Sequence, residues 1–279
     1  MIPVQLELGE PDALDRTIDA LERVGTAERW LPAQVYAAQW RTTQACIEGR
    51  FAAARVHGDQ LRTFARAYRG ATSMHLMQSF GLARELGLLT SIGPSGAVAE
   101  QSLLTWSMLT LAALDTGDAD AAERALDAVA ADGFDRRGDE TRSGAALGML
   151  VEVAADRGRT DHADALTELL TPFGGSLLTV VLGLNCTGAA DRYLAMLDTL
   201  RGRYADADAA FERALALETR MRAHALVPRT RYWYAWSHRY RGGPIATARA
   251  HALLDTVIEE TTALGMASLL DRARDLRAA

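Results

Sequence analysis

The chain has 279 residues, of which 49% are hydrophobic and 24% charged, and its net charge is -6. This composition is ordinary for a globular protein and provides no general attraction to nucleic acid or to an anionic membrane. All 30 basic residues are arginine. Because a P-loop needs a lysine on the nucleotide phosphates and pyridoxal phosphate chemistry needs a Schiff-base lysine, both kinds of site are excluded.

Other common functional signals are also missing from the sequence. Cys46 and Cys186 are isolated, and the six histidines are scattered without metal-ligand spacing. The longest apolar run, residues 176–186, is shorter than the roughly 20 residues that span a bilayer, and no N-terminal stretch reads as a signal peptide. We therefore expect a cytoplasmic protein with no metal, no cofactor and no membrane attachment.

Taken in chain order, the predicted elements are helices joined by glycine-containing turns. Each of these turns follows one apolar-periodic helix and precedes another, and an alanine stands five residues after the glycine. Glycine suits the tight turn between antiparallel helices, and alanine lets the second helix pack closely against the first. The glycines are Gly49, Gly117, Gly158, Gly202 and the pair Gly242-Gly243, and the alanines are Ala54, Ala122, Ala163, Ala207 and Ala248.

The clearest unit is GRYADADAAFERALAL, residues 202–217. Its glycine, tyrosine, alanine and phenylalanine fall at the spacing of the tetratricopeptide repeat, and the chain resembles a solenoid of such hairpins. The turn glycines lie 40 to 68 residues apart rather than at the usual 34-residue period. We predict an all-α fold, a right-handed α-solenoid forming one domain over residues 1–279, with strands nearly absent and loops near 90–97 and 132–139.

A more specific resemblance extends over the C-terminal half. The segments LLTPFGG (169–175), LNCTGAADRYLAML (184–197), GRYADADAAFERALALETRM (202–221) and RTRYWYA (229–235) occur in this order. In order and spacing they are similar to the helical-repeat region of bacterial LuxR-type and adenylate-cyclase-linked signalling ATPases. Weaker similarity extends back to residues 6–14.

The resemblance implies a sensor or interaction region rather than the activity of a whole regulator. The ATPase module is excluded by the missing lysines, and the helix predicted at 269–279 is not followed by a second DNA-binding helix. We expect either a stand-alone repeat protein or a piece of a larger one. Its partner would be a protein or a small-molecule effector, without direct binding to nucleic acid, and homo-oligomerisation through the end hairpins stays open.

The segment RTRYWYAWSHRYR, residues 229–241, is the strongest local anomaly. It holds five aromatic residues and four arginines, and no Asp or Glu occurs anywhere in residues 219–254. On a helix, Arg229, Trp233, Trp236 and Tyr240 share one face. The aromatic residues can pack against neighbouring hairpins, or they can face the groove, where Trp and Arg suit planar or anionic ligands and protein partners.

Our leading hypothesis is a non-catalytic domain of a bacterial transcriptional or signalling regulator that binds an effector or partner in its concave groove. The candidate binding residues are Arg229, Arg231, Trp233, Trp236 and Arg239. The alternative is a stand-alone small-molecule-handling protein or enzyme that uses the groove as a pocket. Its polar candidates are His238, Arg231, Tyr193, Asn185 and Ser95, none of them at a recognisable catalytic spacing.

Overall fold

The computed structural model describes residues 2–89, 103–134 and 144–279, and this part of the chain is mostly helical. The predicted helical class is confirmed; Ser95 and most of the two predicted loops lie outside the described residues. The described helices are α1 (Ile2–Glu7), α2 (Pro11–Ala27), α3 (Leu31–Ile47), α4 (Phe51–Phe64), α5 (Ala71–Glu85), α6 (Leu103–Asp115), α7 (Ala119–Ala130), α8 (Gly144–Asp156), α9 (Ala163–Leu170), α10 (Ala190–Leu200), α11 (Tyr204–Arg220), α12 (Leu226–Arg241), α13 (Pro244–Leu264) and α14 (Ala267–Ala278).

The glycine turns predicted from the sequence are confirmed. They separate α3 from α4, α6 from α7, α8 from α9, α10 from α11 and α12 from α13. In each turn the glycine has a positive φ, which a residue with a side chain adopts at a cost. The values are 76° at Gly49, 85° at Gly117, 66° at Gly158, 72° at Gly202, and 72° and 87° at Gly242 and Gly243.

Four of the five predicted contact alanines are fully buried, as the close packing of paired helices requires: Ala54, Ala122, Ala163 and Ala207. The fifth assignment is wrong, because Ala248 is exposed on α13. There the buried positions are Ala246 and Ala250, one turn apart on the face that meets α12. The second glycine and Pro244 start this helix in a different register from the other units.

A β-hairpin that the sequence did not predict stands between α9 and α10. Strand β1 (Leu177–Val180) pairs antiparallel with β2 (Asn185–Ala189), with Leu177 opposite Ala189 and Val180 opposite Asn185. A register shift falls between Leu178 and Thr179. The strands were missed because a short apolar run of this kind carries no period that separates a buried strand from a buried helix.

The tip of this hairpin is held by α3. Val181, Leu182 and Gly183 all have positive φ, of 23°, 53° and 75°, an unusual conformation for the first two. Side chains of α3 bind the carbonyls that this turn exposes: Gln39 Nε2 donates to the Leu182 oxygen at 3.1 Å and Thr43 Oγ1 to the Gly183 oxygen at 2.8 Å. The tertiary contacts therefore compensate for the unfavourable turn.

The hairpin lies inside the helical array, in contact with helices from both halves of the chain. Its strands touch α1, α3, α5, α8, α10, α11 and α12. N-terminal and C-terminal parts of the chain also meet, since Arg220 Nε of α11 donates to the Gly9 oxygen at 3.2 Å and α14 packs against α5. The interior is therefore occupied by the chain itself rather than left as an open groove along its whole length.

Among the described helices, none combines the length and the apolar character needed to cross a membrane.

Candidate functional site

The centre of the molecule contains a buried network of ion pairs that begins at Glu152 on α8. Glu152 is fully buried and pairs with Arg84 of α5. Arg84 Nε also donates to Asp115 Oδ2 at 2.8 Å, which adds the end of α6 to the network. Three helices are thus joined by side chains that are at most 7% exposed, where each charge depends on its partners.

A second part of the network connects the hairpin to α10, α11 and α12. Arg192 is fully buried and donates to the Thr187 carbonyl of β2 and, at 3.2 Å, to Thr230 Oγ1. Its other neighbour is Glu218, with 3.5 Å between Nη1 and Oε1. Tyr193 closes this part, because its hydroxyl donates to the Thr187 oxygen at 2.7 Å. The hairpin and helices α10, α11 and α12 therefore cannot move relative to one another without breaking these bonds.

The pKa values follow from this arrangement. Burial alone raises the pKa of Glu152, but the guanidinium charges of Arg84, Arg229 and Arg192 outweigh it and lower that pKa to about 2. Burial and the charge of Glu152 raise the pKa of the Tyr193 phenol, against the opposing effect of Arg192. At neutral pH the network therefore contains an ionised Glu152 and a neutral Tyr193.

Two of the five predicted binding residues adjoin this network. Arg229 is buried and donates to Glu85 Oε2 at 2.8 Å. Trp233 is 1% exposed, and the guanidinium of Arg272 on α14 lies 5.4 Å from its ring centre. Arg272 in turn pairs with Asp115 at 3.3 Å. Trp233 thus packs against Arg272 of the network, and almost none of its surface is accessible to a ligand.

The other three predicted binding residues, also on α12, are Arg231, Trp236 and Arg239. Trp236 is half-buried and meets Trp233 edge-on at 5.5 Å between ring centres, and Tyr240 follows at 5.3 Å. The aromatic face expected from helical spacing is therefore present as a continuous row. Arg231 pairs with Glu260 of α13, and Arg239 is half-buried.

The residues proposed for a catalytic pocket lie in separate environments. Tyr193 belongs to the buried network, whereas Asn185 Oδ1 accepts the backbone N–H of its own neighbour Cys186 at 2.9 Å. His238 stacks on Tyr234 at 4.8 Å within α12. Ser95 lies outside the described residues. Among those that the structure describes, no nucleophile and base lie within reach of one another.

Both cysteines are protonated thiols at neutral pH. Burial raises the pKa of Cys46 and that of Cys186 to about 12 in each case. Cys186 is 5% exposed and packs as a small apolar side chain. In the described ranges no three His, Cys, Asp or Glu side chains are grouped so that they could hold a metal ion.

A cavity of about 260 Å³ opens onto the network where α14 meets α5 and α6. Arg84, Asp115 and Arg272 form its inner wall, and Asp271 and Asp275 of α14 line its outer part with the hydroxyls of Thr116 and Ser268. The wall therefore carries two guanidinium groups that are already paired and two exposed carboxylates. A small polar ligand entering here would compete directly with ion pairs that connect helices.

Sequence reasoning missed the residues that build this network, namely Arg84, Asp115, Glu152, Arg192, Glu218 and Arg272. One signal was available: Glu152 is the single charged residue inside the apolar stretch GAALGMLVEVAA, residues 144–155. A lone acid in a helix that is apolar on all sides predicts a buried partner. The identity of the partner could not be read, since Arg84 is 68 positions away.

The chain was compared with family models, with curated proteins and with solved structures, and none of the three comparisons found a match.

Proposed function

We propose that this chain is a non-catalytic sensor or interaction domain, built as a right-handed α-solenoid of tetratricopeptide-like hairpins, of the kind found in bacterial LuxR-type and adenylate-cyclase-linked regulators. Its ligand is a small polar effector that binds in the cavity between α5, α6 and α14. The glycine turns, the buried alanines and the sequence resemblance support the architecture. The cavity and its ion pairs support the sensing role.

One observation carries the proposal: the ion pairs that line the cavity are the same ones that attach α14 to the rest of the molecule. Arg272 of α14 pairs with Asp115 at 3.3 Å and with Asp156 at 2.9 Å. An effector that pairs with Asp115 or Arg272 therefore changes the free energy of docking α14. A ligand shifts a conformational equilibrium only through such differential contacts.

The charges on the outer wall indicate the class of effector. Asp271 and Asp275 lie one helical turn apart, both exposed, while the guanidinium groups of Arg84 and Arg272 are engaged with Asp115. A cationic group on the ligand can pair with Asp275 and with Asp271, whose contact with Arg274 is 3.8 Å long. It can then compete with Arg272 for Asp115. We therefore expect an effector that carries an amino or guanidino group.

The test is native mass spectrometry of the full chain incubated with the small-molecule fraction of a bacterial extract. Thr116→Trp fills the mouth of the cavity from an exposed position. Thr262→Trp is its matched control, because Thr262 is also exposed, also bonds the carbonyl four residues earlier and does not line the cavity. We expect an added small mass on the wild type and on Thr262→Trp that is lost in Thr116→Trp.

The coupling to α14 is measured by amide hydrogen exchange on the same samples. Once the ligand is identified by its mass, exchange in residues 267–278 should change on binding, while exchange in α7 should not. An adduct that persists in Thr116→Trp would place the ligand elsewhere. An adduct that leaves exchange in α14 unchanged would contradict the sensing role.

A further inference from the structure

A second cavity, of about 300 Å³, lies at the turn between α12 and α13. It shares no lining residue with the cavity at α14. Its walls are the end of α12, with His238 and Arg241, the turn of residues 242–246, and Arg249 on the second turn of α13. The pocket is therefore lined by hydrogen-bond donors and positively charged side chains.

The backbone supplies the first donors. Helix α13 is 21 residues long and begins at Pro244, which has no N–H. The first backbone N–H to find an acceptor is that of Thr247, which donates to the Gly243 oxygen at 3.0 Å. Gly243 has no side chain with which to cap the helix, so the N–H groups of Ile245 and Ala246 are left without a partner in the described structure. They carry the positive end of the helix dipole.

A buried polar side chain in the wall is an independent indication of a ligand. The His238 side chain is 2% exposed and lines the cavity, yet its Nδ1 makes no hydrogen bond within the described part of the chain. Arg241 Nε, in the same wall, is also buried and unpaired. Leaving buried polar atoms unsatisfied costs free energy, and such atoms are rare in folded proteins.

The charge balance favours an anion. Arg249 is exposed and forms no ion pair with any described residue, and it lies beside the free N–H groups. No carboxylate lines the described pocket, and Asp208, which contacts its wall, is already paired with Arg241 Nη2 at 2.7 Å. The C-terminal carbonyl groups of α12, which would repel an anion, also lie near the pocket. The carbonyl of His238 is already engaged, because it accepts the Gly242 N–H at 3.2 Å.

We propose that this turn is an oxyanion-binding site that takes a phosphate group, held by the N–H groups of Ile245 and Ala246, by Arg241 and Arg249, and by the imidazole of His238. These donors come from two helices and approach from several directions. The four oxygens of a phosphate group can accept from all of these directions, whereas the two oxygens of a carboxylate lie in one plane. The proposal goes beyond the sensing role and does not depend on it.

The experiment is an NMR titration of the isotope-labelled full chain with inorganic phosphate at constant ionic strength. We expect saturable shifts of the Ile245 and Ala246 amides and of the His238 ring. Arg249→Gln should weaken phosphate binding about ten-fold or more, the effect expected for one charge-assisted bond. The control is Arg124→Gln, which removes the same charge from an exposed position on α7.

Three results would overturn the proposal. Shifts that rise without saturation would show that phosphate has no defined site. Equal affinities for Arg249→Gln and Arg124→Gln would show only a general response to charge. Acetate that binds as tightly as phosphate would contradict the assignment to a phosphate group. The Thr116→Trp variant should bind phosphate like the wild type, so failure of the sensing role and failure of this site can be told apart.

Discussion

Arg192 at the centre and Arg159 at the outer surface each contact several polar partners, but in opposite surroundings. Arg192 is fully buried between Thr187, Thr230 and Glu218. Arg159 donates to Asp127 at 2.6 Å and to Asp161 at 2.8 Å, and both of those carboxylates are more than half exposed. When one partner is removed, water can solvate the outer charges but not the inner ones. Ion pairs at the centre and at the surface should therefore differ several-fold in their effect on stability.

The sharpest test of this difference is Glu152→Gln, which keeps the shape of the side chain and removes its charge. The buried guanidinium of Arg84 then loses its closest carboxylate. We expect the free energy of unfolding to fall by about 3–5 kcal/mol, the usual cost of breaking a buried pair. Urea denaturation at neutral pH measures it.

The matched control is Glu123→Gln in the outer cluster, where Glu123 lies 3.4 Å from Arg159 and is one-third exposed. A change of less than about 1 kcal/mol is expected there. Equal losses in the two variants would refute the distinction between centre and surface.

A second test measures how much the tight packing of the hairpin tip contributes to the stability of the fold. At Gly183 (φ 75°), a Cβ atom would lie 2.1 Å from the Trp40 ring. Gly183→Ala therefore combines an unfavourable φ with overpacking, and we expect a loss of about 2–4 kcal/mol. Gly175→Ala has nearly the same φ, 80°, with no atom within 4 Å of the new Cβ, and should cost only about 1–2 kcal/mol. Thermal unfolding compares the two, and equal losses would show that the hairpin tip is not tightly packed.

The loss of stability in acid should depend on salt at the surface but not at the centre. Glu152 has a pKa of about 2 in the folded protein, below its ordinary 4.5, so its stabilising contribution is complete above pH about 5 and is lost as the pH falls toward 2. Asp161 has a similar pKa of about 2, for which its hydrogen bond to Arg159 is the main cause. Because Asp161 is exposed, added salt should weaken its contribution much more than that of Glu152.

The measurement is the urea midpoint between pH 5 and 3, at low and at high salt, for the wild type, Glu152→Gln and Asp161→Asn. We expect Glu152→Gln to flatten the acid dependence at both salt concentrations, and Asp161→Asn to flatten it only at low salt. An acid dependence in Glu152→Gln that matches the wild type at high salt would contradict the assignment.

The smallest effect is expected for Arg159→Gln. Its carboxylate partners remain hydrated, so the loss in stability should stay within about 1 kcal/mol at low salt and decrease further at high salt. Denaturation at the two ionic strengths checks both statements. A loss as large as that of Glu152→Gln would mean that the outer cluster is effectively buried.

The sequence by itself determined the local order of this protein. Helices, glycine turns and four of the five contact alanines follow from interactions between residues close in the chain, where period and backbone preference are decisive. The row of Trp233, Trp236 and Tyr240 is of the same kind, since positions three and four apart share a helix face.

The tertiary structure alone decided what lies inside. The hairpin turn at 181–183 adopts its backbone because α3 supplies donors about 140 residues away. Glu152 and Arg192 are tolerated without water because partners from distant helices meet there. Helical spacing left open whether Trp233 packs against neighbouring helices or faces a groove, and in the fold it is 1% exposed beside Arg272 of α14. Spacing along a chain indicates which residues are neighbours on one helix, whereas burial and charge pairing depend on which helices meet.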